Sequence, residues 1–171
     1  SVQIQKIKES GAELVFLPIY YQEASLFLEQ ASTAGLDVKY FGCDGLDGII
    51  GKVADTADCE NVLLLTPFAA DAEAENVQKF VTAYKNAHND AIPDQFAADG
   101  YDAIYAIKAA MEKANITVED QDNFNSRIVA AMTAITVNGV TGNMTWEASG
   151  ETAKDPIVMI IKSGVAQLYN P

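Results

Sequence analysis

Apolar residues recur along this chain in two alternating rhythms, short unbroken runs and longer stripes at helical spacing. Residues 1–10 carry Val2, Ile4 and Ile7 on one stripe that stops at Gly11, a C-terminal helix signal. Leu14-Val15-Phe16-Leu17 follows without a polar break, the pattern of a strand buried on both faces, and Pro18 ends it. Ala24, Phe27, Leu28, Ala31 and Ala34 predict a helix over 22–34, closed by Gly35. Val38-Lys39-Tyr40-Phe41 predicts a second strand, broken by Gly42. A short helix is expected over 45–53, although Gly48 and Gly51 interrupt it. Val62-Leu63-Leu64-Leu65 is the third strand, ended by Thr66-Pro67. This βαβαβ rhythm predicts an α/β fold with a parallel sheet and right-handed crossovers. Ligands of such sheets gather beyond the carboxyl ends of the strands, which directs attention to 18–22, 42–45 and 66–69.

From Asp71 the rhythm changes. Val77, Phe80, Val81 and Tyr84 form the apolar face of a helix over 72–88. Asp94 is placed to cap a helix reaching about Ala114, built on Phe96, Tyr101, Ile104, Ile107, Ala110 and Met111. Phe124, Ile128, Ala131 and Met132 define a third helix over 122–135. No strand is expected across this stretch, so these helices need a sheet or partner from elsewhere. Val140-Thr141-Gly142 then leads to Met144-Thr145-Trp146, and a turn follows at Ser149-Gly150. The chain ends in two strands, 156–161 and 165–169, joined by a tight turn at Ser163-Gly164.

Composition narrows the possibilities. The 171 residues carry 11 Lys plus Arg against 24 Asp plus Glu, a formal charge of −13, with no basic cluster to neutralise phosphates. Nucleic acid and anionic membrane surfaces are therefore disfavoured as partners. One His and two Cys cannot close a zinc site without carboxylate help, so no metal and no cofactor is expected. Cys43 and Cys59 are compatible with a bridge if the fold joins them, but two buried thiols are the simpler reading. No apolar run approaches the ~20 residues of a membrane span. Because the helical stripe is already under way at Val2, the chain reads as part of a longer protein.

No catalytic constellation emerges, and the chain is not expected to be an enzyme. His88 sits in a polar helix tail with no nucleophile beside it, and neither a GxSxG elbow nor a phosphate cradle occurs. Asp44 and Asp47 lack the further oxygens of a calcium loop or a second acidic strand end. What remains is a strand-end group of one carboxylate and aromatics. Tyr20 and Tyr21 follow the first strand, Asp44 the second and Phe68 the third. A carboxylate beside tyrosine suits an ammonium group, through a charge-assisted hydrogen bond and a cation–π contact. The competing reading has Asp44 capping a helix that starts at Gly45, with the tyrosines as packing and rim residues.

Five segments in the same order resemble the leucine/isoleucine/valine-binding proteins, the type I extracytoplasmic solute-binding components of ABC importers for branched-chain amino acids. They are residues 7–17, residues 31–36, the Tyr101-Asp102-Ala103 signature within 96–103, Val140-Thr141-Gly142, and Trp146-Glu147-Ala148-Ser149-Gly150-Glu151. The resemblance implies a periplasmic-binding-protein type I lobe, incomplete here, in which 1–68 are the later part of a second lobe. It assigns 69–137 to helices of a first lobe whose sheet is absent, and 138–171 to the return with its hairpin. It further implies Asp44 as the acid that holds a ligand ammonium, Tyr20 as a residue lining the same cleft, and Phe96 as an aromatic packing on the ligand from the first-lobe side. The partners implied are an amino acid or similar small polar ligand, the permease subunits of the importer, and the missing N-terminal half. The location implied is periplasmic or cell-surface. An amino-acid- or amide-sensing regulator or receptor ectodomain shares this fold and is the alternative reading. The apolar stripes over 72–135 lead us to expect a fragment that dimerises.

Overall fold

The computed structural model describes residues 2–117 and 122–170. In chain order the elements are α1 (Val2–Ser10), β1 (Leu14–Leu17), α2 (Tyr21–Thr33), β2 (Lys39–Gly42) and β3 (Leu63–Thr66), then α3 (Glu75–Ala87), α4 (Gln95–Lys113) and α5 (Phe124–Met132). The last are β4 (Thr136–Gly139), β5 (Gly142–Thr145), β6 (Ile157–Lys162) and β7 (Val165–Leu168). Three 3-10 turns, Asp44–Leu46, Ile49–Gly51 and Thr56–Cys59, lie between β2 and β3. They replace the expected helix over 45–53, because Gly48 takes a left-handed conformation (φ +88°) and stops any helical ladder. Contacts divide the chain into two units, residues 1–72 with 156–171, and residues 73–155.

The first unit holds a five-stranded sheet of order β1-β2-β3-β6-β7. β1, β2 and β3 run parallel, as expected, whereas β6 and β7 are antiparallel additions. The last two strands form the predicted hairpin, turned at Ser163 (φ +51°) and Gly164 (φ +73°), the two positive φ values that a tight two-residue turn requires. α2 lays Ala24 and Leu28 into a core with Leu17, Leu46, Ile49, Cys59, Val62, Leu64, Met159 and Ile161. Burying each Leu or Ile there stabilises by roughly 1.5–3 kcal/mol. β1 departs from its predicted double burial. Leu17 is buried, but Leu14 and Phe16 are 51% and 50% exposed. Being an edge strand, β1 packs one face on the core and leaves the other open.

In the second unit, Asp94 caps α4 as predicted, its Oδ1 accepting from the Ala97 N–H at 2.9 Å. Arg127 Nη2 of α5 donates to the Ala114 carbonyl at 2.8 Å, satisfying the C-terminal end of α4. α5 ends at Met132 rather than 135, and the chain re-enters as a strand that the sequence reading did not expect. β4 and β5 pair as an antiparallel hairpin. Val137 and Met144 of that hairpin pack on Ala106 of α4. The helical stretch therefore carries a small sheet of its own. The sequence reading also returned the chain at 138, but residues up to 155 stay with the helices because the hairpin packs on α4.

Candidate functional site

Register decides where the strand-end residues fall. Leu17 pairs with Gly42, and Gly42 with Leu64, so β1 and β2 end level while β3 runs two residues further. Beyond them the chain enters α2 at Tyr20, the 3-10 turn at Asp44, and the Thr66–Phe68 bend, where Thr66 Oγ1 accepts from the Phe68 N–H at 3.2 Å. Gly42 is obligatory at its strand end, since a side chain there would occupy the space filled by Leu46.

The backbones that carry Asp44 and Tyr20 meet at Gly45, which the sequence reading named only as the start of a possible helix. A Cβ at Gly45 would lie 2.8 Å from the Ile19 carbonyl oxygen and 3.4 Å from Tyr20 Cα. The turn that carries Asp44 thus rests directly on the backbone that carries Tyr20. Tyr20 is the N-terminal flanking residue of α2, its carbonyl accepting from the Ala24 N–H at 3.0 Å, and is 64% exposed. Asp44 opens its turn, with its carbonyl accepting from the Asp47 N–H at 3.0 Å, and is exposed. It does not cap a helix at Gly45: Cys43 holds the flanking position and no side-chain cap forms there. The close approach at Gly45 was readable only as a glycine next to a strand-end acid, a signal too common to single out.

The other aromatics separate. The Tyr21 ring faces the Lys52 ammonium of the same unit, 5.6 Å from its centroid. Phe68 is buried, 3% exposed, and offers no ring to the surface. Phe96 belongs to the second unit, on the first turn of α4, where it is 39% exposed. Both cysteines are free thiols, Cys43 half-buried and Cys59 buried. Burial pushes the Cys59 thiol up, and the neighbouring Asp58, Glu60 and Asp55 add to this against its own backbone hydrogen bond. His88 is exposed and stacks on Tyr84 at 4.1 Å. Among the described residues, no cluster of three His, Cys, Asp or Glu could hold a metal ion.

At the opposite, amino end of the parallel strands a cavity of about 760 Å³ opens, lined among others by Glu13, Asp37, Lys39, Tyr40, Asn61 and Tyr169. Burial, and then the Asp37 charge, push the Tyr40 hydroxyl up; it donates to the Leu36 carbonyl at 3.2 Å. Every buried side-chain polar atom among the described residues has a hydrogen-bond partner.

The second unit contains a polar cluster of another kind. Asp102, 2% exposed, accepts from the Val140 N–H at 2.9 Å, the Thr141 N–H at 2.8 Å and the Thr141 hydroxyl at 2.6 Å. The sequence signal was available: Ala98, Asp102, Ala106 and Ala110 are spaced by four, which sets the acid within a buried row of alanines.

The family model for periplasmic binding proteins matches residues 1–162. A leucine-, isoleucine-, valine-, threonine- and alanine-binding protein of Pseudomonas aeruginosa is 29% identical over 149 residues, spanning 86% of this chain and 38% of its own length. A branched-chain amino acid transporter substrate-binding protein of Streptococcus pneumoniae, solved with isoleucine, superposes with a TM-score of 0.82 at 23% identity, over 100% of this chain and 48% of that one. An ABC transporter solute-binding protein of R. palustris, solved with benzoate, superposes at 0.84 and 19% identity, over 98% and 45%. The chain spans less than half the length of these relatives, and the solved structures establish the shared fold. With all but its last nine residues matched by the family model, the chain belongs to the periplasmic binding protein family.

Proposed function

We propose that these residues form a later portion of an extracytoplasmic solute-binding protein that delivers amino acids to an ABC permease. In this reading residues 1–72 and 156–171 belong to one lobe of the full-length protein and residues 73–155 to the other. The carrying observation is the packing of Gly45 on the Ile19–Tyr20 backbone, which sets the segments that bear Asp44 and Tyr20 against each other. A carboxylate in that place suits the ammonium of an amino acid, and Tyr20 offers a ring face and a hydroxyl beside it.

The ligand class follows from the sign of that charge. Among neighbours of similar fold, one is described with isoleucine and another with benzoate. An acid at 44 attracts an ammonium at 4 Å by about 1 kcal/mol in water and by roughly 4 kcal/mol at the lower effective dielectric of a protein surface. It repels a benzoate carboxylate by similar amounts. Branched-chain or related amino acids are therefore preferred over aromatic acids without an amine.

The groups that would hold the ligand carboxylate come from the missing half, each worth roughly 1.5–3 kcal/mol when charge-assisted. The 171 residues alone should bind no amino acid measurably, and calorimetry showing micromolar leucine affinity would overturn this. In a chain extended to its relatives' length, Asp44→Asn should weaken leucine binding about 10- to 100-fold. Unchanged affinity, or preference for benzoate, would refute the assignment. The same missing half would cover the exposed stripe of Tyr101, Ile104, Tyr105 and Ile107 on α4, where Ile104 is 66% exposed. Without it, two copies should associate through that stripe. A strictly monomeric mass by light scattering would contradict this.

A further inference from the structure

In the sheet order β1-β2-β3-β6-β7, β7 is an outer strand, and an outer strand carries a row of N–H and C=O groups that point away from the sheet. In an antiparallel ladder inward and outward residues alternate. The Tyr169 N–H turns inward, to the Val158 carbonyl at 2.9 Å, so the Leu168 and Ala166 N–H groups turn outward. β7 has little of its own to discourage a further strand. Val165-Ala166-Gln167-Leu168-Tyr169 carries no charge and no proline, and Val165 and Tyr169 are 54% and 40% exposed.

A charge reaches this edge from another part of the first unit. Asp71 Oδ2 accepts from the Leu168 N–H at 3.1 Å. β3 ends at Thr66, opposite Ile157 at the start of β6, and residues 67–71 carry the chain past β6 to β7. This bend is anchored on both sides of the acid. Ala69 is buried in the core, Ala72 packs against the same core, and the Ala72 N–H donates to the Ala69 carbonyl at 3.1 Å. Asp71 between them is exposed. The turn end of the hairpin is tied separately, with the Ser163 N–H on Glu60 Oε2 at 2.7 Å. We propose that Asp71 guards the outer edge of β7 against strand pairing with a second copy of this chain: its carboxylate occupies the Leu168 N–H and sets a negative charge on the edge. Two copies pairing β7 to β7 antiparallel would be related by a two-fold axis, which brings both Asp71 carboxylates to one seam. Without Asp71 the same edge is uncharged and complementary to itself.

The test needs no ligand. It uses an Ile104→Lys parent, which takes away the α4 stripe through which association is proposed above, so the two proposals fail separately. In dilute solution Asp71→Ala should quicken exchange of the Leu168 amide about tenfold, while the Tyr169 amide, bonded to β6, keeps its rate. At about 0.15 M salt the −13 charge of the chain is screened beyond about 8 Å. Light scattering there should show the Asp71→Ala chain associating at about tenfold lower concentration than the parent. Adding Ala166→Pro, which removes an outward N–H and no bond to β6, should restore the mass of the parent. A Leu168 amide that exchanges at the parent rate would overturn the proposal, as would a mass equal to the parent's at every concentration. Association that survives Ala166→Pro would overturn it too, since the contact would then lie away from the edge of β7. So would faster exchange throughout β6 and β7, since that would make Asp71 a support of the hairpin instead of a guard of its edge.

Discussion

Replacing Gly45 by alanine adds one methyl group at the point where the Asp44 turn meets the Tyr20 backbone. The new carbon would sit 2.8 Å from the Ile19 carbonyl oxygen and 3.4 Å from both the Ile19 carbonyl carbon and Tyr20 Cα. All three are backbone atoms, so no side chain can swing aside. The Ile19–Tyr20 segment is held between β1 and the first turn of α2, where the Tyr20 carbonyl accepts from Ala24. Gly45 does not adopt a left-handed φ, so alanine meets no conformational penalty of its own and its effect on the folded state is steric. Overpacking of this kind costs about 1–3 kcal/mol. Alanine also restricts the unfolded chain, which offsets about 0.4–1 kcal/mol. The net expectation is a loss of roughly 1–2 kcal/mol, or about 2–8 °C in melting temperature for a chain of this size.

The assay is urea unfolding followed by circular dichroism, with Gly51→Ala as the paired control. Gly51 also lies in a 3-10 turn after β2, but a Cβ there meets nothing within 4 Å. That substitution should leave stability unchanged or raise it by up to about 1 kcal/mol through the unfolded chain alone. A Gly45→Ala midpoint at or above wild type, with an unchanged slope, would refute the packing of the two loops. It would also remove the reason for treating Tyr20 and Asp44 as neighbours. In the extended protein the same variant should weaken amino-acid binding even where Asp44 and Tyr20 are intact, because their spacing is what the methyl group disturbs.

Further outcomes follow from the same structure. Leu46→Ala empties a fully buried position that packs on Gly42 and should cost about 2–5 kcal/mol by denaturant unfolding; a loss below 1 would contradict its place in the core. Alkylation of the native chain should label half-buried Cys43 well before buried Cys59, whose thiol is also pushed up, and mass spectrometry of the digested product reads the order directly. Tyr40 and Cys59 both hold their protons more tightly when folded, so their contribution is complete below the ordinary values of 10.0 and 9.0 and is lost as pH climbs through the raised ones. The unfolding midpoint should fall above about pH 9, and a rise there would be inconsistent with burial of these groups. Asp102→Asn turns an amide donor toward the donors of Val140 and Thr141 and should destabilise by about 1–3 kcal/mol, whereas Asp99→Asn on the exposed side of Lys154 should change little.

The parallel strands, α2 and the closing hairpin were legible in the sequence because local signals agreed with the fold. Unbroken apolar runs, glycine stops and a Ser-Gly turn each specify their element without distant help. β4 was not legible for the opposite reason. Ile135 and Thr136 continue an apolar stretch begun by α5, and only packing of Val137 and Met144 on Ala106 separates strand from helix. The open face of β1 was likewise hidden, since an unbroken apolar run reads the same at the edge of a sheet as at its centre. The short helix expected after β2 failed at Gly48, whose left-handed backbone no stripe of apolar residues could outweigh.

Asp44 and Asp102 show why the candidate site was only half legible. Asp102 lies in a motif that resembles one family and Asp44 is only implied by that resemblance, and charge alone cannot rank them among 24 acids. Their surroundings do. Asp102 sits in a row of alanines, receives three hydrogen bonds from one turn and is shielded from water, so its oxygens are committed to holding the second unit together. Asp44 stands exposed at the end of a parallel strand, on a turn whose backbone is pinned against Tyr20 by the lack of a side chain at Gly45. A carboxylate committed inward stabilises, and removing it should be read out in unfolding. One exposed on a turn stabilises less, and its removal should be read out chiefly in binding. Asp44→Asn should therefore lower the unfolding midpoint less than Asp102→Asn does, and the reverse pattern would interchange the two roles.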